Sequence, residues 1–257
     1  MRVARRLIRW ALTAGVRRFG FELRRRNNDE YIGQIPDRFS DNREKYNQIG
    51  AAFSERSVAA FLAGNARNTG DLARHYFLAM VCDLVEKEAL PGDVAELGVY
   101  KGNTAFLLAE LARRTGRTAY LFDTFESLPE RDFIGFDSGY HDRKGDFMDT
   151  SIEVVRELVG SSNVELIAGY FPDSITTESA LTRYAVVHLD CDLYAPMHAG
   201  LQFFYPKLVP GGFLVIHDYM SLYWDGVEKA IDEFFADKPE RFVPIPDKSG
   251  TIVIRKH

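Results

Sequence analysis

An α/β, Rossmann-like fold built on a mostly parallel seven-stranded sheet follows from three features of this sequence. Short apolar runs alternate regularly with segments of helical period, a glycine-bearing loop follows the first strand, and two strand-like segments flank a turn at the carboxyl end. The chain has 257 residues, 46% of them hydrophobic, enough for one α/β core with a helical extension rather than two small domains.

Leu72, Tyr76, Phe77, Met80, Val81, Leu84 and Val85 recur at helical spacing from Asp71 to Leu90, and Pro91-Gly92 stops the pattern. A strand is expected over Val94 to Leu97, then a loop, then a helix from Asn103 to Arg114 before Gly116. The alternation continues with strand Thr118 to Asp123, helix Ser151 to Val159, strands Val164 to Ala168 and Tyr184 to Leu189, helix Pro196 to Leu208 and strand Gly212 to His217. After a helix from Trp224 to Phe235, Arg241 to Ile245 and Thr251 to Ile254 read as an antiparallel hairpin turning through Asp247 to Gly250. The aperiodic stretch from Leu128 to Thr150, rich in Gly, Asp, Phe and His, is expected to be an active-site lid.

The net charge of −5 hides an asymmetry: nine arginines and one acid, Glu22, occupy the first 26 residues, so the remainder is acidic and does not read as a nucleic-acid binder. Residues 1–70 are assigned to a basic, helical amino-terminal arm with a substrate-covering segment, and residues 71–257 to the catalytic domain. Between Arg2 and Arg26, arginines interleave with Leu7, Ile8, Trp10, Leu12, Val16 and Phe19, without an apolar run that would cross a bilayer or serve as a secretory signal. The pattern suits peripheral contact with an anionic membrane or a lipid-linked substrate, the blander alternative being a solvated, partly disordered basic arm. Helices there could pack across a homodimer, and Glu30, Tyr31 and Tyr46 could fold over a substrate. Cys82 and Cys191 form no metal-binding or disulfide spacing, which suits a reducing cytoplasm.

Chemistry concentrates in two places. Glu96-Leu97-Gly98-Val99-Tyr100-Lys101-Gly102 stands where the first strand meets a helix, so Gly98 and Gly102 permit a tight turn and the helix start offers free N–H groups. The loop lacks the G-x-G-x-x-G spacing of a dinucleotide site, and its leading acid suits an amine-bearing, cationic ligand such as S-adenosylmethionine. Tyr100, Thr104 and Ser127 join Glu96, Gly98 and Gly102 as candidate cofactor contacts, and Asp123, ending the second strand, is placed to accept hydrogen bonds from ribose hydroxyls.

The second place is the pair of strand ends His188-Leu189-Asp190-Cys191-Asp192 and His217-Asp218-Tyr219. Open α/β sheets bind ligands beyond the carboxyl ends of their strands, so Asp190 and Asp218 are expected to converge there. Paired carboxylates invite a hard divalent ion such as Mg²⁺, which would acidify and position an acceptor hydroxyl. His217 could complete that coordination or act as a base, and His141 in the lid is a second candidate base. An NAD-using enzyme, which would need a better phosphate loop, and a non-catalytic binding protein are the rival readings.

With Phe122-Asp123-Thr124-Phe125-Glu126-Ser127-Leu128-Pro129, Gly169-Tyr170-Phe171, Leu189-Asp190-Cys191-Asp192-Leu193-Tyr194, Tyr205-Pro206-Lys207-Leu208 and Pro210-Gly211-Gly212 in order after Glu96-x-Gly98, the sequence resembles the macrocin O-methyltransferase (TylF-type) family from about Asp71 onward. The resemblance implies a class I methyltransferase fold and metal-dependent methylation of sugar hydroxyls on secondary metabolites, a small-molecule acceptor; the arginine-rich amino terminus, which it does not explain, would better suit a lipid-linked sugar on a membrane glycolipid or nascent polysaccharide. By position the resemblance places the family's metal-site aspartates on Asp190, on His217 and on Asp218. The first residue of that family's Asp-Asp-Tyr motif is therefore histidine here, leaving magnesium with altered ligands, a nitrogen-tolerant metal, or a histidine base as the alternatives.

Overall fold

The computed structural model describes residues 55–257. The arm from Arg2 to Arg26, Glu30, Tyr31 and Tyr46, and with them the membrane contact and dimer packing expected there, lie outside the described residues. The helices are α1 (Glu55–Leu62), α2 (Leu72–Lys87), α3 (Ala105–Thr115), α4 (Ile152–Val159), α5 (Thr177–Leu181), α6 (Tyr194–Phe204) and α7 (Asp225–Phe235). The strands are β1 (Asp93–Leu97), β2 (Ala119–Asp123), β3 (Val164–Ala168), β4 (Tyr184–Leu189), β5 (Leu208–Ile216), β6 (Val243–Pro244) and β7 (Ile252–Arg255).

They form one sheet in the order β3-β2-β1-β4-β5-β7-β6. Strands β1 to β5 are parallel, and β7 runs antiparallel to both β5 and β6, as the hairpin reading expected. Successive strand residues face opposite sides. Leu97, Phe122, Leu189, Leu214 and Ile216 therefore pack with Leu201, Phe204, Val227 and Ile231 of α6 and α7, while Glu96, Leu121, His188 and Val215 turn to the other face. Phe204 anchors the first layer, meeting Phe122 and Tyr184 edge-on at 5.8 and 5.3 Å and stacking on Phe171 at 5.7 Å. Burial of each such ring contributes roughly 1.5–3 kcal/mol. The strand order reverses between β1 and β4, so their carboxyl ends open a crevice at the centre of the sheet.

Several boundaries differ from the sequence reading for local reasons. Pro196 lies in the first turn of α6, where its missing N–H costs nothing, so the helix begins at Tyr194. It ends at Phe204 because Pro206 cannot continue it, and after a 3₁₀ turn Leu208 already pairs with Tyr184 of β4. Residues around Pro210-Gly211 then bulge before pairing resumes at Phe213 with Val186. Helix α5 escaped the sequence reading because five residues show no period; its signature is the reciprocal cap between Thr176 and Ser179. Residues 55–70, assigned from sequence to the arm, pack on the core: Phe61 is buried, and Asn103 donates to the carbonyls of Ala60 and Ala63.

The lid stretch contains 3₁₀ turns at Glu130–Asp132 and Gly135–Arg143. Phe133 and Asp137 pin it to the core, the Asp137 carboxylate accepting from the Tyr194 amide at 2.7 Å. At its far end Tyr100 Oη and Lys101 Nζ both donate to Asp149 at 2.5 Å. Among the described residues no helix is long and apolar enough to cross a membrane.

Candidate active site

A cavity of about 540 Å³ opens over the carboxyl ends of β1, β2, β4 and β5. Its floor depends on one glycine. Gly98 has φ +89°, and a Cβ there would lie 1.9 Å from the backbone oxygen of Asp190, so the loops leaving β1 and β4 touch backbone to backbone. Gly98, Tyr100, Thr104, Asp123 and Ser127 all line the cavity, bringing together five of the seven expected cofactor residues.

Two of those five also hold the loop itself in place. Asp123 Oδ2 accepts from the amides of Val99 and Tyr100 at 2.7 and 2.8 Å, and Oδ1 from the Phe125 amide at 2.7 Å. Its carboxylate thus fastens the glycine loop to β2, holding the loop open as a cradle. Tyr100 stands at φ +50° and packs edge-on against Phe147 of the lid at 5.0 Å, tying cradle to lid. Replacing Asp123 by Ala removes the two oxygens that three backbone amides donate to. At about 1.5–3 kcal/mol for a hydrogen bond to a charged group, S-adenosylhomocysteine should bind at least about tenfold more weakly. Calorimetric titration measures this, and unchanged affinity would show that the loop holds its shape unaided.

Glu96 and Gly102 do not reach the cavity. Glu96 is fully buried behind the loop, its Oε1 accepting from Thr104 Oγ1 at 2.5 Å and meeting His188 Nδ1 at 2.6 Å; burial raises its pKa. Register explains the pairing, since Glu96 of β1 and His188 of β4 are direct neighbours on the face turned from α6. Gly102 has φ +80°, and a Cβ there would stand 3.1 and 3.2 Å from Val155 and Val159 of α4, so it permits helix packing. His141 is exposed, tilts against Phe133 at 5.6 Å and does not line the cavity, which separates it from the strand-end cluster.

Asp190, His217 and Asp218 do converge, with ligand-type atoms all within 4.8 Å of one another. Asp218 holds φ +62° just past β5, a strained conformation that turns its carboxylate back toward His217. His217 Nδ1 lies 2.9 Å from Asp190 Oδ1 and 3.1 Å from Asp218 Oδ2. The other Asp190 oxygen, Oδ2, accepts from Arg74 Nη1 at 2.6 Å, and Arg74 Nε pairs with Asp71 at 2.8 Å. Burial alone would raise the pKa of Asp190, but His217 and Arg74 together hold it well below the usual carboxylate range. Burial and Arg74 push His217 down while Asp190 and Asp218 push it up, and the carboxylates prevail. The neighbouring Asp192 is raised well above its ordinary value, by burial first and then by the Asp218 and Asp190 charges.

Spacing alone would let one ion reach all three residues; the donor chemistry does not fit it. Both Asp190 oxygens already accept from protein donors, Arg74 Nη1 and His217 Nδ1, and the Nδ1 placed against Asp190 must bear a proton there, so the imidazole lone pair is left on Nε2, which faces Asp71 Oδ2 at 3.8 Å. Sequence reasoning missed Asp71 and Arg74. Their signal was an Asp-x-x-Arg pair at the start of α2, where Arg74 and His75 interrupt the apolar pattern.

Sheet order, crevice and glycine cradle together define a class I S-adenosylmethionine-dependent methyltransferase. Residues 52–242 match the model of the macrocin O-methyltransferase (TylF) family, and the chain belongs to that family. It is accordingly an enzyme that methylates with S-adenosylmethionine. It is 32% identical over 189 residues, covering 68% of this chain and 69% of the relative, to 8-demethyl-8-(2,3-dimethoxy-alpha-L-rhamnosyl)-tetracenomycin-C 4'-O-methyltransferase of Streptomyces olivaceus. It is 29% identical over 161 residues to demethyldecarbamoylnovobiocin O-methyltransferase of Streptomyces niveus, covering 57% of this chain and 59% of that relative, which is less than two thirds of its length. The solved structure of the O-methyltransferase NovP superposes with a TM-score of 0.65 at 25% identity, over 75% of this chain and 84% of NovP.

Proposed function

We propose that the protein transfers the methyl group of S-adenosylmethionine to a sugar hydroxyl of a glycosylated natural product. The observation that carries this is the shared cavity: the glycine cradle and the Asp190, His217 and Asp218 cluster line the same space, which supports bringing an acceptor oxygen to the methyl. Met220, Leu222 and Tyr223 are exposed at the cavity mouth and Trp224 is buried beneath them, giving apolar and aromatic surface for a sugar ring and its aglycone. The names of the relatives, which include a rhamnosyl tetracenomycin, support this acceptor class.

Bound S-adenosylmethionine supplies a methyl group on a sulfonium sulfur. The acceptor oxygen forms its bond to that carbon as the carbon–sulfur bond breaks, the sulfonium becomes a thioether, and the hydroxyl proton must leave. His217 Nε2, which has no hydrogen-bond partner, is the proton acceptor in this reading, while Asp190 holds Nδ1–H and so fixes the tautomer. Most of the acceleration comes from holding oxygen, carbon and sulfur near a line. The direct test is incubation with methyl-labelled S-adenosylmethionine and a panel of deoxysugar glycosides. Label recovered on a sugar oxygen supports the reading; label on none of the panel, or on an aglycone hydroxyl, overturns it.

The electrostatics set a pH dependence. A base works only when neutral, and His217 has a pKa raised above the ordinary 6.5 of imidazole. Turnover per enzyme–acceptor encounter should therefore climb as pH rises through that raised value, with an acid limb above 6.5. A pH–rate profile whose acid limb lies at or below 6.5 would remove His217 from the base role.

A further inference from the structure

We propose that Arg74 is the fixed cation of this active site and that the enzyme works without a divalent metal ion. The inference rests on the sugar-hydroxyl reading for what the charge does, and on geometry for where it is. Arg74 leaves α2, is buried, and lines the cavity. Two carboxylates hold its guanidinium from two directions, Asp71 at 2.8 Å on Nε and Asp190 at 2.6 Å on Nη1. A rigid fork held in this way keeps its charge at any pH the protein survives and needs no reorganisation during the reaction.

A divalent ion on the same carboxylate would sit within roughly 5 Å of that guanidinium, since hard ions bind carboxylate oxygen at about 2.0–2.6 Å. In a buried cavity two such like charges repel strongly. Its remaining ligands would be no better placed, because the His217 Nδ1 proton is already given to Asp190, with Asp218 Oδ2 only 3.1 Å from the same nitrogen. Three carboxylates, from Asp71, Asp190 and Asp218, thus meet the fixed charge of Arg74 and the Nδ1–H of His217, and the cluster is partly satisfied from within. The positive charge beside the acceptor oxygen, which favours the alkoxide as its proton leaves, comes from the guanidinium.

The test is a titration of chelator-treated protein, saturated with S-adenosylhomocysteine, with Mn²⁺ alone, followed by spin resonance. Wild type should show no saturable site tighter than ~1 mM. The Arg74→Gln, His217→Asp double variant, which removes the fixed cation and adds a carboxylate, should bind one Mn²⁺ at least about tenfold more tightly. Where a labelled product is found, wild-type turnover should be unchanged by chelator. Arg74→Gln should lose turnover by on the order of 10²-fold, keep its S-adenosylhomocysteine affinity and gain nothing from Mg²⁺. One equivalent of tightly bound Mn²⁺ in wild type, lost in Asp190→Asn, would overturn the proposal, as would turnover lost to chelator and restored by Mg²⁺. Misfolding of Arg74→Gln leaves the wild-type titration to decide. Failure to methylate any glycoside counts against the acceptor assignment and leaves the Mn²⁺ result standing, so the two failures are distinguishable.

Discussion

Asp190→Asn is expected to lower turnover by on the order of 10³-fold while S-adenosylhomocysteine binds within about threefold of wild type. Two donors of the cluster depend on this one carboxylate, Arg74 at 2.6 Å and His217 at 2.9 Å. An amide keeps the shape but loses the charge, and its NH₂ group would face one of two donors. The imidazole would then lose the partner that fixes its tautomer, and the guanidinium one of its two anchors. Cofactor binding should survive because the Asp190 atoms that touch the glycine cradle belong to its backbone. The variant also carries a second signature. Asp190 helps raise the pKa of His217, so the acid limb of any residual activity should move to lower pH. Calorimetry, single-turnover rates and a pH–rate profile on one preparation check all three. Residual turnover within tenfold of wild type would show that the cluster organises the fold and not the reaction.

Gly98→Ala is expected to abolish cofactor binding. The added methyl would stand 1.9 Å from the Asp190 oxygen and 2.5 Å from its carbonyl carbon, backbone atoms that have no rotamer through which to yield. Two hydrogen bonds fix the crossing on either side: the Gly98 amide donates to the Phe122 carbonyl at 2.9 Å, and the Asp190 amide to the Leu97 carbonyl at 2.8 Å. The strands must therefore separate, and a residue at φ +89° costs a further ~1–3 kcal/mol for a side chain other than glycine. Separation displaces the cradle, the Asp123 anchor and the Asp190 cluster at once. The expected outcome is a fall of several degrees or more in the thermal midpoint and no measurable heat with S-adenosylhomocysteine. Wild-type affinity in this variant would contradict the close approach of β1 and β4. By contrast, the nearest neighbours of Gly102 are side-chain methyl groups of Val155, Val159 and Leu158 on α4, so the two glycines of one motif are unequal in consequence.

That inequality illustrates what a sequence carries and what it leaves open. Local chemistry determined the order of strands and helices, the hairpin at the end, the tight turn after β1 and the positions of Asp123, Asp190, His217 and Asp218 at strand ends. Each depends on periodicity, on Gly and Pro, or on the rule that ligands lie beyond the carboxyl ends of a parallel sheet, and such signals span only a few residues. The family motifs were legible for the same reason, being short runs in a fixed order.

The tertiary structure decided which side chains meet. Register set Glu96 beside His188, behind the cradle and away from the cavity. The pinning of the lid by Phe133 and Asp137 left His141 outside. Arg74, 116 residues before Asp190 in the chain, reaches it only because α2 packs across the sheet with that turn facing the crevice. No pattern along the chain records such a pairing, since the energy that selects it belongs to two charges sharing one dry volume, and that volume exists only once the strands have closed around it.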